Sequence, residues 1–533
     1  MIRKFLMLAI LAGSLMVSCT KNFNTINVNP TAPSTVPLDY LFGESTLYFA
    51  GSAGDPGYTQ WRANLIYSMP MIQQMASLGT FYSGDKYLFD LVNGASGAWY
   101  GYTDGSGNYA NAVKTLVQLI ALAKEDSVKN VNILSMARIV KVMVMATLTD
   151  IYGDVPYSQA GQGYLTTNFT PAFDPQSAIY PDMLNELSEA GAALDASAYI
   201  PSAADFSYSG DISKWKHLAN SLMLRLAMRL TNVDAADAQK YAAQAISGGV
   251  FSDNTESYQI NYAGGSTNNI NPVSYNLGPS DVPYRSIILS TYNLQWSKTF
   301  IDALKNRNDP RLHEISTVYQ LSDYSGTVMP LGDTVGADQI GLPNGLDVVP
   351  ASGPTSSKEY SVPNILTYKS TSPLILVTYA EMEFLKAEAI ERGWATGDAA
   401  TEYAKGQEAA IQQMAAYDPS FLQLPSKIAA YQAANSYPTS SMDDKMNAIF
   451  TEVWILTATT YNGIEGWADW RRTGFPVLTP VNYVGNATNG TIPRRLVFPG
   501  EEATLDATGY NEAISHMGAD NFTTRVWWDG GTK

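Results

Sequence analysis

The clearest ordering of apolar and polar positions in this 533-residue chain begins after Tyr109. Leu116, Leu119, Ile120 and Ala123 recur at helical spacing and so share one face. Ile133 to Leu148 is apolar nearly all round, as expected of a helix buried on every side. Asp174-Pro175 offers a capping side chain and a first-turn proline to a helix whose Tyr180, Met183, Leu184, Leu187, Gly191 and Leu194 line up. Pro181 inside that pattern implies a kink or a later start. Trp215, Leu218, Ala219, Leu222 and Leu226 repeat the spacing, and another helix runs from Asp234 to a stop at Gly248-Gly249. Thr378-Tyr379-Ala380-Glu381 reads as a capping box opening a helix that continues to Arg392-Gly393. Asp398 caps the next one, with Tyr403, Ala404, Gln407, Ile411 and Met414 on one side. Met446, Ile449, Phe450, Val453 and Thr457 mark a last strong helix.

The pair after Thr378 looks like a tetratricopeptide unit, two antiparallel helices around a Gly-containing turn, with Ala387 and Ala404 placed where helices must approach closely. Stretches near 110–152 and 176–231 read as divergent versions, although no fixed period of 34 residues is kept. Residues 40–105 mix glycines and aromatics with weak periodicity. Residues 250–375 carry Pro, Gly, Asn and Ser throughout, including Gly341-Leu342-Pro343-Asn344-Gly345 and Ala351-Ser352-Gly353-Pro354. The predicted fold is therefore mainly α: tetratricopeptide-like helix pairs with loop-rich insertions and a few short strands. It forms a single domain over 40–533 with its loop-rich insertion at about 250–375.

The N-terminus changes the picture. Arg3 and Lys4 precede an apolar run from Phe5 to Val17, which at 13 residues is shorter than the roughly 20 a membrane span needs. Residues 1–18 thus read as a signal peptide, and no later stretch reads as long and apolar enough to span. Met16-Val17-Ser18-Cys19 resembles a bacterial lipobox, with Met where Leu is usual. Cys19, the only cysteine, is then a lipid attachment point, and residues 19–39 form an anchor and tether. The competing reading is a plain secretory signal with an incidental cysteine.

Without Arg3 and Lys4 the chain has 31 basic against 49 acidic residues, or −18, which argues against nucleic acid and anionic lipid as partners. Three histidines outside H-E-x-x-H spacing and no cysteine cluster argue against zinc. There is no Walker loop, no dinucleotide fingerprint after a strand and no G-x-S-x-G elbow, so no cofactor, metal or catalytic residue is predicted. A pair of carboxylates brought together by the fold, all a glycosidase needs, stays open among 49 acids. The 33 tyrosines against 17 phenylalanines favour wet concave surfaces, because tyrosine joins a flat apolar face to a polar tip. Two loop clusters stand out, one with Tyr82, Tyr87, Trp99, Tyr100 and Tyr102, the other with Tyr275, Tyr284, Tyr292 and Trp296. From these, Tyr82, Trp99, Tyr100, Tyr102, Tyr292 and Trp296 are the candidate ligand-binding side chains.

A series of fragments adds a family. In order they are Phe23-Asn24-Thr25-Ile26-Asn27-Val28-Asn29-Pro30, Leu148 through Asp150-Ile151-Tyr152-Gly153 to Tyr157, and Trp215 through Leu224-Arg225 to Arg229. Asp309-Pro310-Arg311, Ala380-Glu381, Trp467 through Arg471-Arg472 to Pro476, Pro493-Arg494-Arg495-Leu496 and Trp527-Trp528-Asp529 follow. Together they resemble the SusD/RagB nutrient-binding outer-membrane lipoproteins, most closely the SusD-like subgroup of Bacteroidetes. Most have ready structural roles: Gly153 ends a helix, Asp309-Pro310 forces a turn, and Arg471 and Arg472 can stack on Trp467 or Trp470 and pair with acids. The resemblance implies a lid over a SusC-like TonB-dependent outer-membrane transporter. Such a lid captures an extracellular oligosaccharide or peptide without catalysis, held to the outer membrane by its lipid and facing the exterior. Thr20-Lys21-Asn22 departs from the acids that often follow the cysteine in surface-exported relatives. Two other classes compete: a surface glycoside hydrolase using a carboxylate pair, and a periplasm-facing helical-repeat scaffold that binds only protein. Replacing Cys19 with alanine is expected to release the protein from membranes while leaving ligand affinity unchanged, as read by fractionation and titration; a collapse of affinity would contradict a purely anchoring role.

Overall fold

The computed structural model describes residues 36–51, 59–79, 83–89, 97–99, 107–265, 269–277, 294–318, 332–356 and 359–531. Cys19, Tyr82, Tyr100, Tyr102, Tyr284 and Tyr292 lie outside the described residues. Helices dominate: α1 Leu38–Ala50, α2 Lys114–Lys124, α3 Val131–Tyr152, α4 Gln176–Ala193, α5 Ile212–Arg229, α6 Ala235–Gly248 and α7 Lys298–Asn306. They continue with α8 Tyr379–Glu391, α9 Ala399–Gln412, α10 Pro425–Ala434, α11 Met442–Thr459, α12 Gly463–Thr473 and α13 Ala507–Met517. Sequential neighbours pack as pairs: α2 on α3, α4 on α5, α5 on α6, α8 on α9 and α11 on α12. The strands are short and join as two-stranded antiparallel ribbons. These are β1 Met75–Ser77 with β5 Leu294–Trp296, β2 Val155–Pro156 with β3 Phe173–Asp174, β4 Tyr258–Ile260 with β8 Leu374–Val377, and β6 Ser316–Thr317 with β7 Val362–Pro363. This is the mainly α, helix-pair architecture read from the sequence.

The helix ends show which signals act. Asp211 accepts from Ser213 N and Lys214 N at α5, Asp234 from Asp237 N at α6, and Asp398 from Thr401 N at α9. Asp174 departs from expectation: α4 starts after Pro175, and the Asp174 carboxylate instead accepts from Tyr157 N and Ser158 N, tying β3 to the chain after β2. Pro181 neither starts nor ends α4, which runs through it. The capping box at α8 is half made. Thr378 Oγ1 accepts from Glu381 N at 3.1 Å, but the Glu381 carboxylate turns away to Arg225. A full box forms at α11 between Ser441 and Asp444, which the sequence reading missed. The 22-residue α3 corrects another expectation, being long and apolar enough to cross a membrane; 67% of its most apolar window is buried, and it packs against α2 and α4 as a core helix.

Glu381 belongs to a network of charges at the centre. Arg229 on α5 lies against Glu465 and, at 2.9 Å, Asp469 on α12, with Asp150 of α3 at 3.5 Å. One turn away Arg225 grips Glu381 of α8 through two bonds, Nε at 2.6 Å and Nη2 at 2.5 Å. Arg472 of α12 pairs with Glu388 of α8 at 2.7 and 2.9 Å. All of these side chains are buried or nearly so. Burial pushes the Asp150 and Asp469 carboxyls up, while at Glu465 burial is overruled by Arg225 and Arg229, which hold it low. Beside this network Arg471 lies between Trp467, 3.7 Å from the ring centre, and Trp528 at 4.6 Å, and burial lowers it to about 9.

The close approach within the α8–α9 pair occurs at Gly406, whereas Ala404 is only half-buried. A Cβ on Gly406 would lie 2.6 Å from the ring of Phe384, which is fully buried. Alanine in mid-helix normally gains about 1 kcal/mol over glycine. Here the overpacking cost of about 1–3 kcal/mol wins. Gly406→Ala is therefore expected to lower the denaturation midpoint; a raised midpoint would mean that Phe384 yields freely.

Candidate ligand-binding site

The β1–β5 ribbon sets the register of the face predicted to meet ligand. Ser77 is opposite Leu294 and Met75 opposite Trp296, so the chain leaving β1 and the chain entering β5 attach at the same end. The stretches carrying Tyr82 and Tyr292 are therefore joined to one place, although they lie far apart in the sequence.

Under that end sits a buried ion pair. Asp85 and Lys86 have no exposed side-chain surface and lie 3.4 Å apart. Lys86 Nζ donates to the Ser77 carbonyl at 2.6 Å, and Asp85 Oδ2 accepts from Gly345 N at 3.0 Å. Asn344 Nδ2 donates to the Met75 carbonyl at 2.8 Å, so the Gly341–Gly345 loop is bolted to β1 as well. Gly341 itself is required, since a Cβ there would run into the Ser297 carbonyl oxygen. Burial pushes the Asp85 carboxyl up to about 6 against the pull of Lys86. Tyr87 next to them accepts from Val481 N through its hydroxyl and from Ala487 N through its carbonyl, which ties down the segment after α12. Four chain segments thus converge on one pinned platform.

The predicted aromatic residues divide. Trp296 is a core residue, fully buried, with Nε1 donating to the Ile315 carbonyl at 3.0 Å and its ring stacked on Tyr461. Trp296 sits in a strand whose three residues are all buried. Tyr87 is fully buried too. Trp99 is 2% exposed within a cluster formed with Tyr109, Tyr152, Phe173 and Phe498. Neither tryptophan offers a free stacking face, so the expectation that both are ligand platforms is corrected to one of packing. Trp99 still reaches the floor of a cleft of about 480 Å³, which Tyr109, Tyr164 and Phe169 also line. Tyr164 and Phe169 escaped the sequence reading because they sit in a short polar stretch between two helices; the glycine just before Tyr164 was the available signal.

A second cleft of about 520 Å³ lies by the Asp309-Pro310 turn, edged by Lys305, His313, Gln423 and Lys427. His313 is hydrogen-bonded, its Nδ1 being 2.8 Å from the Thr334 carbonyl. Asp309 is held by Arg311 and serves the turn. Among the described residues no group of His, Cys, Asp and Glu could hold a metal ion. Glu383 and Glu402 share a hydrogen bond, with Lys386 2.8 and 2.9 Å from them.

Comparisons agree with the architecture. A family model described as starch-binding and associating with the outer membrane, SusD-like, matches residues 59–499, and the chain belongs to that family. A solved structure named a chitin-binding protein is 33% identical, with a TM-score of 0.78 over 93% of this chain and 100% of that one. A Bacteroidetes SusD-like protein, AC2a, is 24% identical with a TM-score of 0.79, covering 93% of this chain and 100% of its own. A chitin-binding SusD homologue from Flavobacterium johnsoniae is 23% identical with a TM-score of 0.70, covering 92% and 98%. The last two likenesses speak for the fold. Comparison with curated proteins gives no match.

Lys86→Met is expected to cost about 3–5 kcal/mol at pH 7, because it strands a buried carboxylate. Asp85 has a folded value raised above its unfolded one of about 4. Its charged form therefore destabilises as pH rises through about 6, and the cost of Lys86→Met should shrink below that pH. Denaturation at pH 5 and pH 7 reads the difference; equal losses would contradict the buried pair.

Proposed function

We propose that this chain is a lipid-anchored outer-membrane receptor that captures a chitin-type oligosaccharide outside the cell and delivers it, unaltered, to a SusC-like TonB-dependent transporter. The observation that carries the ligand class is the 33% identity to a chitin-binding protein across nearly the whole of both chains. Residues 40–533 act as the binding domain, and the segment after Cys19 acts as the tether that lets a lid move while it stays attached. The ligand face is the end of the β1–β5 ribbon, where the stretches bearing Tyr82 and Tyr292 attach above the Asp85–Lys86 pair. The platform from which they spring is pinned by the Asp85–Lys86 pair and the Gly341–Gly345 loop, so that platform needs little ordering when ligand binds. Neutral sugar rings, each with an apolar face and equatorial hydroxyls, suit tyrosine on both counts. Peptide remains the second ligand class of the family resemblance, and the same experiment separates it.

Calorimetric titration of the purified mature chain with chito-oligosaccharides, malto-oligosaccharides and peptides is expected to give saturable binding of the first. Chromatography should recover that ligand intact, and alanine at Tyr82 or Tyr292 should weaken binding tenfold or more. Cleaved product would contradict capture without catalysis, and binding of peptides alone would contradict the ligand class.

A further inference from the structure

The short helix Gly163–Thr166 and the turn after it carry aromatic side chains that packing does not account for. Tyr164 is 85% exposed and Phe169 77%. Both stand at the cleft of about 480 Å³ whose floor is Trp99 and Tyr109. Lys114, Glu502 and Asp506 also line it, so the cleft carries charged groups as well as rings.

The aromatic wall is held in place. Thr167 N donates to the Gly163 carbonyl at 3.0 Å with Thr167 itself left-handed, φ +59°. Asn168 Nδ2 donates to Gln159 Oε1 at 2.8 Å, Thr170 N donates to Asn168 Oδ1 at 3.2 Å, and Ala172 N donates to Gln159 Oε1 at 3.3 Å. A Cβ at position 163 would lie 3.0 Å from the Phe169 ring, so the glycine allows that ring to close on the helix. Holding two rings in water on a hydrogen-bonded turn forgoes the apolar burial that each would gain in the core. A ligand that stacks on them recovers it.

We propose that this cleft is a second oligosaccharide subsite, where sugar rings stack on Tyr164 and Phe169. It rests on the reading that the chain captures a glycan, and it shares no named residue with the β1–β5 platform. The lining selects the occupant. An apolar helix or lipid chain would strip water from Lys114 and from the carboxylate edges of Glu502 and Asp506, the latter already accepting from Gly509 N at 3.2 Å, whereas sugar hydroxyls replace that water while the ring faces stack. The concave shape and a volume within the usual ligand-pocket range favour a small chain of rings over a flat protein partner.

The test is titration of the mature chain with a trisaccharide of β-linked N-acetylglucosamine, too short to bridge two sites, comparing wild type with Tyr164→Ala/Phe169→Ala. Both positions are exposed, so the double variant should keep the wild-type melting temperature. The expected result is two trisaccharides per wild-type chain and one per variant, with the remaining site unchanged within twofold. One trisaccharide per wild-type chain, lost on Tyr82→Ala and untouched by the double variant, overturns the second subsite and leaves the main reading standing. Unchanged stoichiometry with lost co-purification of the transporter also overturns it, and assigns the patch to protein contact. No glycan bound by wild type overturns both.

Discussion

The Arg229 guanidinium is the point on which the helical body turns. It reaches α3 through Asp150 and α12 through Glu465 and Asp469, while Arg225 and Arg472 carry the same network to α8. Such a network adds little net stability over apolar packing, because desolvation consumes most of the Coulomb energy. Its effect is selective. Any arrangement of these helices that leaves one charge unpaired costs several kcal/mol, so the order in which the pairs stack is fixed at the centre. Loops can then vary at the periphery while their points of attachment stay in place.

This gives four of the scattered family fragments a shared physical meaning. Asp150, Arg225, Arg229, Glu381, Asp469 and Arg472 come from fragments far apart in the chain, yet four helices bring them within hydrogen-bonding reach. The sequence showed that Arg471 and Arg472 needed rings and acids as partners. Which acids could not be read, because salt-bridge partners are set by helix stacking and leave no local spacing. The helices themselves were legible where apolar periodicity and caps agreed, as at Asp234 and Asp398. The reading failed where a capping residue was taken for other work: Glu381 by Arg225, and Asp174 by the turn after β2.

The candidate site was legible in a different way. Aromatic crowding in glycine-rich stretches singled out two regions, but it could not say which rings face inward. Trp296 lies inside a strand and Trp99 inside an aromatic cluster, so both serve packing. Only the ribbon register shows that the stretches bearing Tyr82 and Tyr292 attach together. The Asp85–Lys86 pair repeats at the end of the β1–β5 ribbon what Arg229 does at the centre. In each case a buried charge needs one particular partner and so fixes distant segments in place.

We propose that the helical body centred on Arg229 captures an oligosaccharide beside the platform pinned by Asp85 and Lys86 and leaves it intact. The most direct measurement is a crystal structure of the mature chain with a chito-oligosaccharide. Uncleaved sugar rings should lie against tyrosine faces at the end of the β1–β5 ribbon, with the Asp85–Lys86 pair unmoved. Sugar bound only between facing carboxylates, or found as shortened product, would contradict the account.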